Sequence, residues 1–273
     1  MSETITPTPE PTGGIPTWVK RTVFGLVAAV VLFFGAIFLY AEVLNDSPDE
    51  FTVADLDAAL EVESTDARSP ASTTVSGTDP DTEYTIAATT PAPTAPAPDI
   101  GAGSAWLATD ASQVGYRVEE ILFGVDTTAV GRTDQVDGSL AIDGTQLTAV
   151  DFTVDVASIK SDDSRRDDQF RGRIMSADEF PTATFVLTSP IDLGAEPADG
   201  VEVATTATGE LTLRGSTQPV TFDVVAKQDN GLIGVQGSIP VLFADYGIAN
   251  PSFAGITTED NGLVEFVLVF QPI

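Results

Sequence analysis

From about Ala105 to the C-terminus, apolar and polar positions alternate in short runs. In "LTAVDFTVDVASI", Val150, Phe152, Val154 and Val156 share one face, and Asp151, Thr153 and Asp155 share the other. "ATFVLTS" sets Phe185 and Leu187 against Thr184 and Thr188, and "PVTFDVVAK" sets Val220, Phe222 and Val224 against Thr221 and Asp223. The last run, "GLVEFVLVFQ", turns Val264, Phe266, Leu268 and Phe270 inward, opposite Glu265. A period of two with a polar outer face predicts antiparallel strands buried on one side. Eight or nine such runs occur with no convincing long helix between them. Asp137–Gly138, Asp143–Gly144, Asn230–Gly231 and Asn261–Gly262 are turn pairs that favour hairpins.

This pattern describes an all-β sandwich or an up-and-down barrel. Closure would hide the edges of so many strands, and successive hairpins suit up-and-down order, so both considerations favour the barrel. Eight strands leave an interior wide enough for packed side chains or for one ligand. The inward residues Phe152, Val154, Val156, Phe185, Leu187, Phe222, Val224, Phe266 and Leu268 are either an ordinary core or the lining of a cavity.

Upstream the pattern changes twice. Val23 to Ala41 is an unbroken apolar run of nineteen residues, about 28 Å as a helix and close to the thickness of a bilayer's hydrocarbon core. Lys20 and Arg21 precede it, and Glu42, Asp46, Asp49 and Glu50 follow. That asymmetry predicts a single-pass helix over 19–41 in the cell membrane, with residues 1–18 cytoplasmic and the remainder extracytoplasmic. A cleaved signal peptide fits less well, since the run is long and no Ala-x-Ala follows at the right distance. Residues 42–103 are acidic and rich in Ser, Thr and Pro, which predicts a disordered stalk. Within it a short helix is expected at 52–62, where Thr52 and Asp55 can form a capping box and Phe51 and Leu56 a staple. The domain proper is expected at 104–273.

Composition narrows the chemistry. The formal charge is −29 and the chain holds neither Cys nor His, which removes disulfides, thiol nucleophiles, imidazole bases and Cys/His metal sites. Such acidity also argues against nucleic-acid binding. No nucleophile motif, phosphate loop or metal-ligand spacing is present, so neither an enzyme nor a cofactor is expected. Against this background, "SRRDDQFRGRIMSADEFPTATF" gathers Arg165, Arg166, Arg171 and Arg173 within nine residues. Asp162, Asp163, Asp167 and Asp168 lie beside them, so the arginines can clamp a loop or offer guanidinium groups to a phosphate.

That stretch resembles the YceI-like family, whose members carry a pattern close to R-D-x-H-L-R-S-x-D-F-F-D-x-x-x-Y-P-x-x-x-F. Here Arg166-Asp167-Asp168-Gln169-Phe170-Arg171-Gly172 is followed by Phe180-Pro181 and Phe185. "GELTLRGSTQPVTFDV" (209–224) and "ADYGI" (244–248) resemble two later family segments, and the likeness runs over about 105–273. Gln169 stands for the family's His, Gly172 for its Ser, Arg173 for an acidic residue, and Ile174 and Met175 for paired Phe. The segment is also one residue shorter.

The resemblance implies a lipocalin-like eight-stranded antiparallel barrel that binds a long amphiphile, notably an isoprenoid or polyprenyl lipid, in its interior. Arg166, Gln169, Arg171 and Arg173 would then stand near the head group. The expectation is thus a membrane-tethered lipid-binding module. The alternative is a structural or interaction domain, with a packed barrel displayed on a stalk.

Overall fold

The computed structural model describes residues 17–39, 47–66, 104–253 and 255–273. Eight antiparallel strands form the domain. Strand β1 has two collinear parts, Ser104–Ala108 and Gln113–Leu122, and β2 likewise has Val125–Thr133 and Val136–Asp143. They are followed by β3 (Gln146–Asp155), β4 (Thr182–Leu187), β5 (Glu202–Leu213), β6 (Ser216–Asp229), β7 (Leu232–Leu242) and β8 (Asn261–Pro272). Each strand pairs with its successor. β8 returns to β1 through Ala108↔Phe270 and Val114↔Phe266, closing the barrel. Closure satisfies both ladder edges, as the alternating pattern and hairpin order had suggested.

The inward phenylalanines meet at mid-height. Phe152, Phe185, Phe222 and Phe266 form a continuous belt, with neighbouring ring centroids 5.4–6.0 Å apart. One end of the barrel is capped by the long β3–β4 connection, which contains α3 (Ser164–Gln169) and a π-helical turn, Phe170–Ile174. Asp163 caps α3 by accepting from the Arg165 amide at 2.8 Å. The β5–β6 turn at this end places Arg214 and Gly215 at φ 48° and 74°. A side chain at Gly215 would collide with the Phe180 ring. Arg214 donates to the Gly247 carbonyl at 2.6 Å, so the family-like segments at 209–224 and 244–248 are joined at one rim.

The upstream segments differ from expectation in one respect. The helix expected at 52–62 forms as α2, Val53–Asp66, and Asp55 accepts from the Thr52 amide at 2.8 Å. It does not stand free in a disordered stalk. Phe51, Leu56 and Leu60 are buried against Leu232, Val267 and Val269 on the outer wall of β7 and β8. Gly234 permits this approach, because a Cβ there would overlap Leu56. The outer face of β8 is therefore apolar at Val267 and Val269, contrary to a polar exterior, because a second layer covers it there.

Glu265, expected on the solvent face, is likewise fully buried. It accepts from Arg117 at 3.1 Å and Arg132 at 2.7 Å. The same guanidinium groups donate to the carbonyls of Pro48 and Asp49, and Arg132 lies over the Phe51 ring at 3.8 Å. Ser47 bonds the Thr128 carbonyl and Gln236 bonds the Phe51 carbonyl. Residues 47–66 are thus a strap on the barrel.

Helix α1 spans Thr17–Leu39, with Phe24, Leu26, Val30, Val31, Leu32, Phe33 and Phe34 exposed. Among the described residues no helix is long and apolar enough to cross a membrane. Tyr40 and Ala41 of the expected span and residues 42–46 of the expected stalk lie outside the described residues. So do residues 67–103 of the expected stalk and residues 1–16 of the expected cytoplasmic tail.

Leu56 fills the space over Gly234, so Leu56→Ala should cost about 2–4 kcal/mol, as buried leucine truncations do. Denaturant unfolding of residues 47–273 checks this value.

Candidate ligand-binding site

Above the phenylalanine belt the barrel is hollow. A cavity of about 630 Å³ runs from Phe152 and Val154 up to the capped end, a size typical of small-molecule sites. Its wall is built by the inward alternation of β1, which places Val114, Tyr116, Val118, Glu120 and Leu122 on one face, joined by Val156, Ala183, Leu211 and Val241. Tyr116 stacks on Phe170 of the π turn at 4.6 Å, and Gly131 opposite leaves room for its ring. Burial pushes the Tyr116 phenol above its usual range. Below the belt only about 70 Å³ remains, lined mostly by apolar side chains.

The charged and amide groups of the cavity collect at its upper rim, with Thr258 beside them: Glu120, Asp163, Arg165, Arg166 and Gln169. Arg166 pairs with Asp162, and Glu120 accepts from the Thr258 hydroxyl at 3.2 Å. Glu120 is held above the ordinary carboxylate value, because burial disfavours its charge more than Arg166 and Thr258 favour it. Asp167, beside Arg166, faces the other way. Nearly buried, it accepts from the amide and hydroxyl of Ser161 at 2.8 and 2.7 Å, so it fixes the loop.

The structure divides the residues expected to line the interior. Phe152, Val154 and Val156 border the upper cavity, whereas Phe185, Leu187, Phe222, Val224, Phe266 and Leu268 border the small lower one together with Phe152. Of the expected head-group residues, Arg166 and Gln169 reach the rim. Arg171 instead bonds Asp168 at 2.6 Å, and Arg173 bonds Gln169 at 3.1 Å and the Pro251 carbonyl at 3.0 Å. Glu120 and Tyr116 were not foreseen. Their signal was the alternation "VGYRVEEIL", which puts one carboxylate on an otherwise apolar inner face.

A carboxyl whose folded pKa is raised destabilises the fold once pH exceeds its unfolded value, here the ordinary 4.5. Glu120→Gln should therefore raise the Tm near pH 7. The gain should disappear at about pH 3, where the wild-type carboxyl is protonated in both states. Thermal melts at the two pH values test the sign.

A family model for the YceI-like domain matches residues 106–270. No curated protein matches the chain. Among solved structures, the chain is similar to a polyisoprenoid binding domain from Saccharophagus degradans implicated in plant cell wall breakdown. The identity is 18%, the coverage 63% of this chain and 99% of that one, and the TM-score 0.52. Burkholderia cenocepacia BcnA follows at 22% identity, covering 59% and 98%, with a TM-score of 0.47. A Campylobacter jejuni YceI protein shows 16% identity, covering 50% and 81%, with a TM-score of 0.38. At 18% identity the likeness to the Saccharophagus degradans domain concerns the fold, which agrees with the closed barrel, and the family model's match over residues 106–270 settles the kinship. The chain belongs to the YceI-like family.

Proposed function

We propose that the protein is a membrane-anchored, extracytoplasmic binding module that holds an isoprenoid or similar long amphiphile in the upper cavity for storage or transfer. The observation that carries this reading is the segregation of the cavity. Its depth is apolar and ends on the phenylalanine belt, while its charged and amide groups stand only at the rim. An amphiphile has the same polarity, with a chain to desolvate and a head that must stay hydrated. The Saccharophagus degradans neighbour, described as a polyisoprenoid binding domain, supports the same class of ligand. The role is binding rather than catalysis.

The anchor rests on the sequence. Val23 to Ala41 is free of charge, Lys20 and Arg21 flank its N-terminal side and acidic residues its C-terminal side, the orientation that retains the N-terminus in the cytoplasm. At the rim, Arg166 is the group placed to meet an anionic head, since a guanidinium stays charged and binds phosphate bidentately.

Residues 47–273 purified under mild conditions should show a stoichiometric lipid by native mass spectrometry and solvent extraction. Ala183→Trp, which fills the upper cavity, should weaken uptake by tenfold or more, about 1.4 kcal/mol. A wild-type protein that stays bare after exposure to polyprenyl lipids sinks the reading. Arg166→Gln should lower affinity for a polyprenyl phosphate while leaving that for the uncharged polyprenol unchanged; equal losses for both would remove Arg166 from the head-group role.

A further inference from the structure

We infer that the mouth of the barrel rests on the membrane that carries α1, so that the upper cavity opens onto the bilayer surface. This inference rests on the anchor proposed above. Its own support comes from where the strap attaches and from what surrounds the mouth.

The strap begins at the mouth end. Ser47 bonds Thr128, which lies three residues, about 10 Å of strand, from the start of β2 at the mouth hairpin. From there the chain descends past Arg117, Arg132 and Gln236 to bury Leu60 near Leu232 at the opposite end. Only residues 40–46 lie between the end of α1 and Ser47, a link that reaches at most roughly 28 Å. Mouth-down uses little of that reach. Turning the other end to the membrane would need nearly all of it, since barrel strands of this length tilted at about 40° stand roughly 30 Å tall. The Ser/Thr/Pro-rich stretch 67–103 does not lengthen this tether. It leaves from α2 and returns at β1, both of them parts of the folded domain.

The rim suits such a position. Phe123 and Phe253 are 45% and 64% exposed, and they are the exposed phenylalanines of the barrel domain among the described residues. Both stand at the mouth. The Phe123 amide donates to the Gly255 carbonyl at 2.9 Å, which joins the β1–β2 hairpin to the 253–256 turn, and Ile121 beside them is 39% exposed. Phe33 of α1 meets Phe123 edge-to-face at 5.9 Å. That contact sets the rim level with the outer half of the proposed span, eight residues or about 12 Å before Ala41, somewhat beyond the depth of about 5–10 Å that interfacial apolar faces reach.

Charge does not drive this docking. Asp163 and Asp162 pair with the rim's Arg165 and Arg166, and Asp126, Glu259 and Asp260 add further negative charge that would repel anionic headgroups. The short tether instead supplies a local concentration near the millimolar range, so weak apolar contacts suffice. A neutral phospholipid surface is the fitting partner.

The absence of cysteine makes the test direct. The full-length chain carrying Phe123→Cys, Phe253→Cys or, at the far end, Asp143→Cys is labelled with an environment-sensitive fluorophore. It is then reconstituted in phosphatidylcholine vesicles whose acyl chains bear a spin-label quencher. The two rim labels should lose most of their emission and the Asp143 label should keep its own. Inserting about twenty Gly and Ser residues between Asp46 and Ser47, which adds roughly 25 Å of mean reach, should restore much of the rim emission. If the protein floats with the vesicles but rim and far-end labels are quenched alike, the mouth orientation is overturned and the anchor stands. If the protein does not float, both fall.

Discussion

The hydrogen bonds between the first strand and the last, from Ala108↔Phe270 to Val114↔Phe266, are the constraint on which the rest depends. Once the sheet is closed it has an inside and an outside, and every strand residue must face one of them. The inward set is apolar below the rim, where Glu120 is its carboxylate, and at mid-height four phenylalanines meet at ring distances typical of aromatic packing. Above that level the wall is lined by smaller side chains, such as Val154, Ala183 and Val241, and room remains.

Closure also makes the exceptions on the outer face informative. A carboxylate on the outside of a barrel ordinarily meets water. Glu265 does not, because Pro48 to Phe51 lie across it and its charge is matched by Arg117 and Arg132. An ion pair in such a place contributes little net stability by itself. Here the two guanidinium groups also donate to the strap's carbonyls, so pairing and docking form one network. Val267 and Val269 continue the covered patch toward α2.

Much of the barrel was legible because alternation is a local signal and closure follows from it. The belt was legible too, since Phe152, Phe185, Phe222 and Phe266 stand at inward positions of their runs. The strap was less so. Its helix was marked by Thr52 and Asp55, but its docking depends on contacts between residues some 170 positions apart, which no local pattern reports. The available clue was β8, where Val267 and Val269 make the outer face apolar as well, and a strand apolar on both faces is covered on both. The roles of the arginines were illegible for a similar reason. Four guanidiniums and four carboxylates in one short stretch allow many pairings. Only the fold of α3 and the π turn selects Arg165 and Arg166 for the rim and occupies Arg171 and Arg173 elsewhere.

The belt has a consequence for length. A guest in the upper cavity could extend downward only until it met the belt at Phe152. Up to that depth each added methylene gains a roughly constant increment, about 0.8 kcal/mol, from leaving water. The next one must rotate a ring out of a closed aromatic circle to enter a space of about 70 Å³, which forfeits packing before it gains any. For a chain-like guest, four side chains would thus convert a smooth hydrophobic gradient into a step, and the barrel would act as a gauge of chain length.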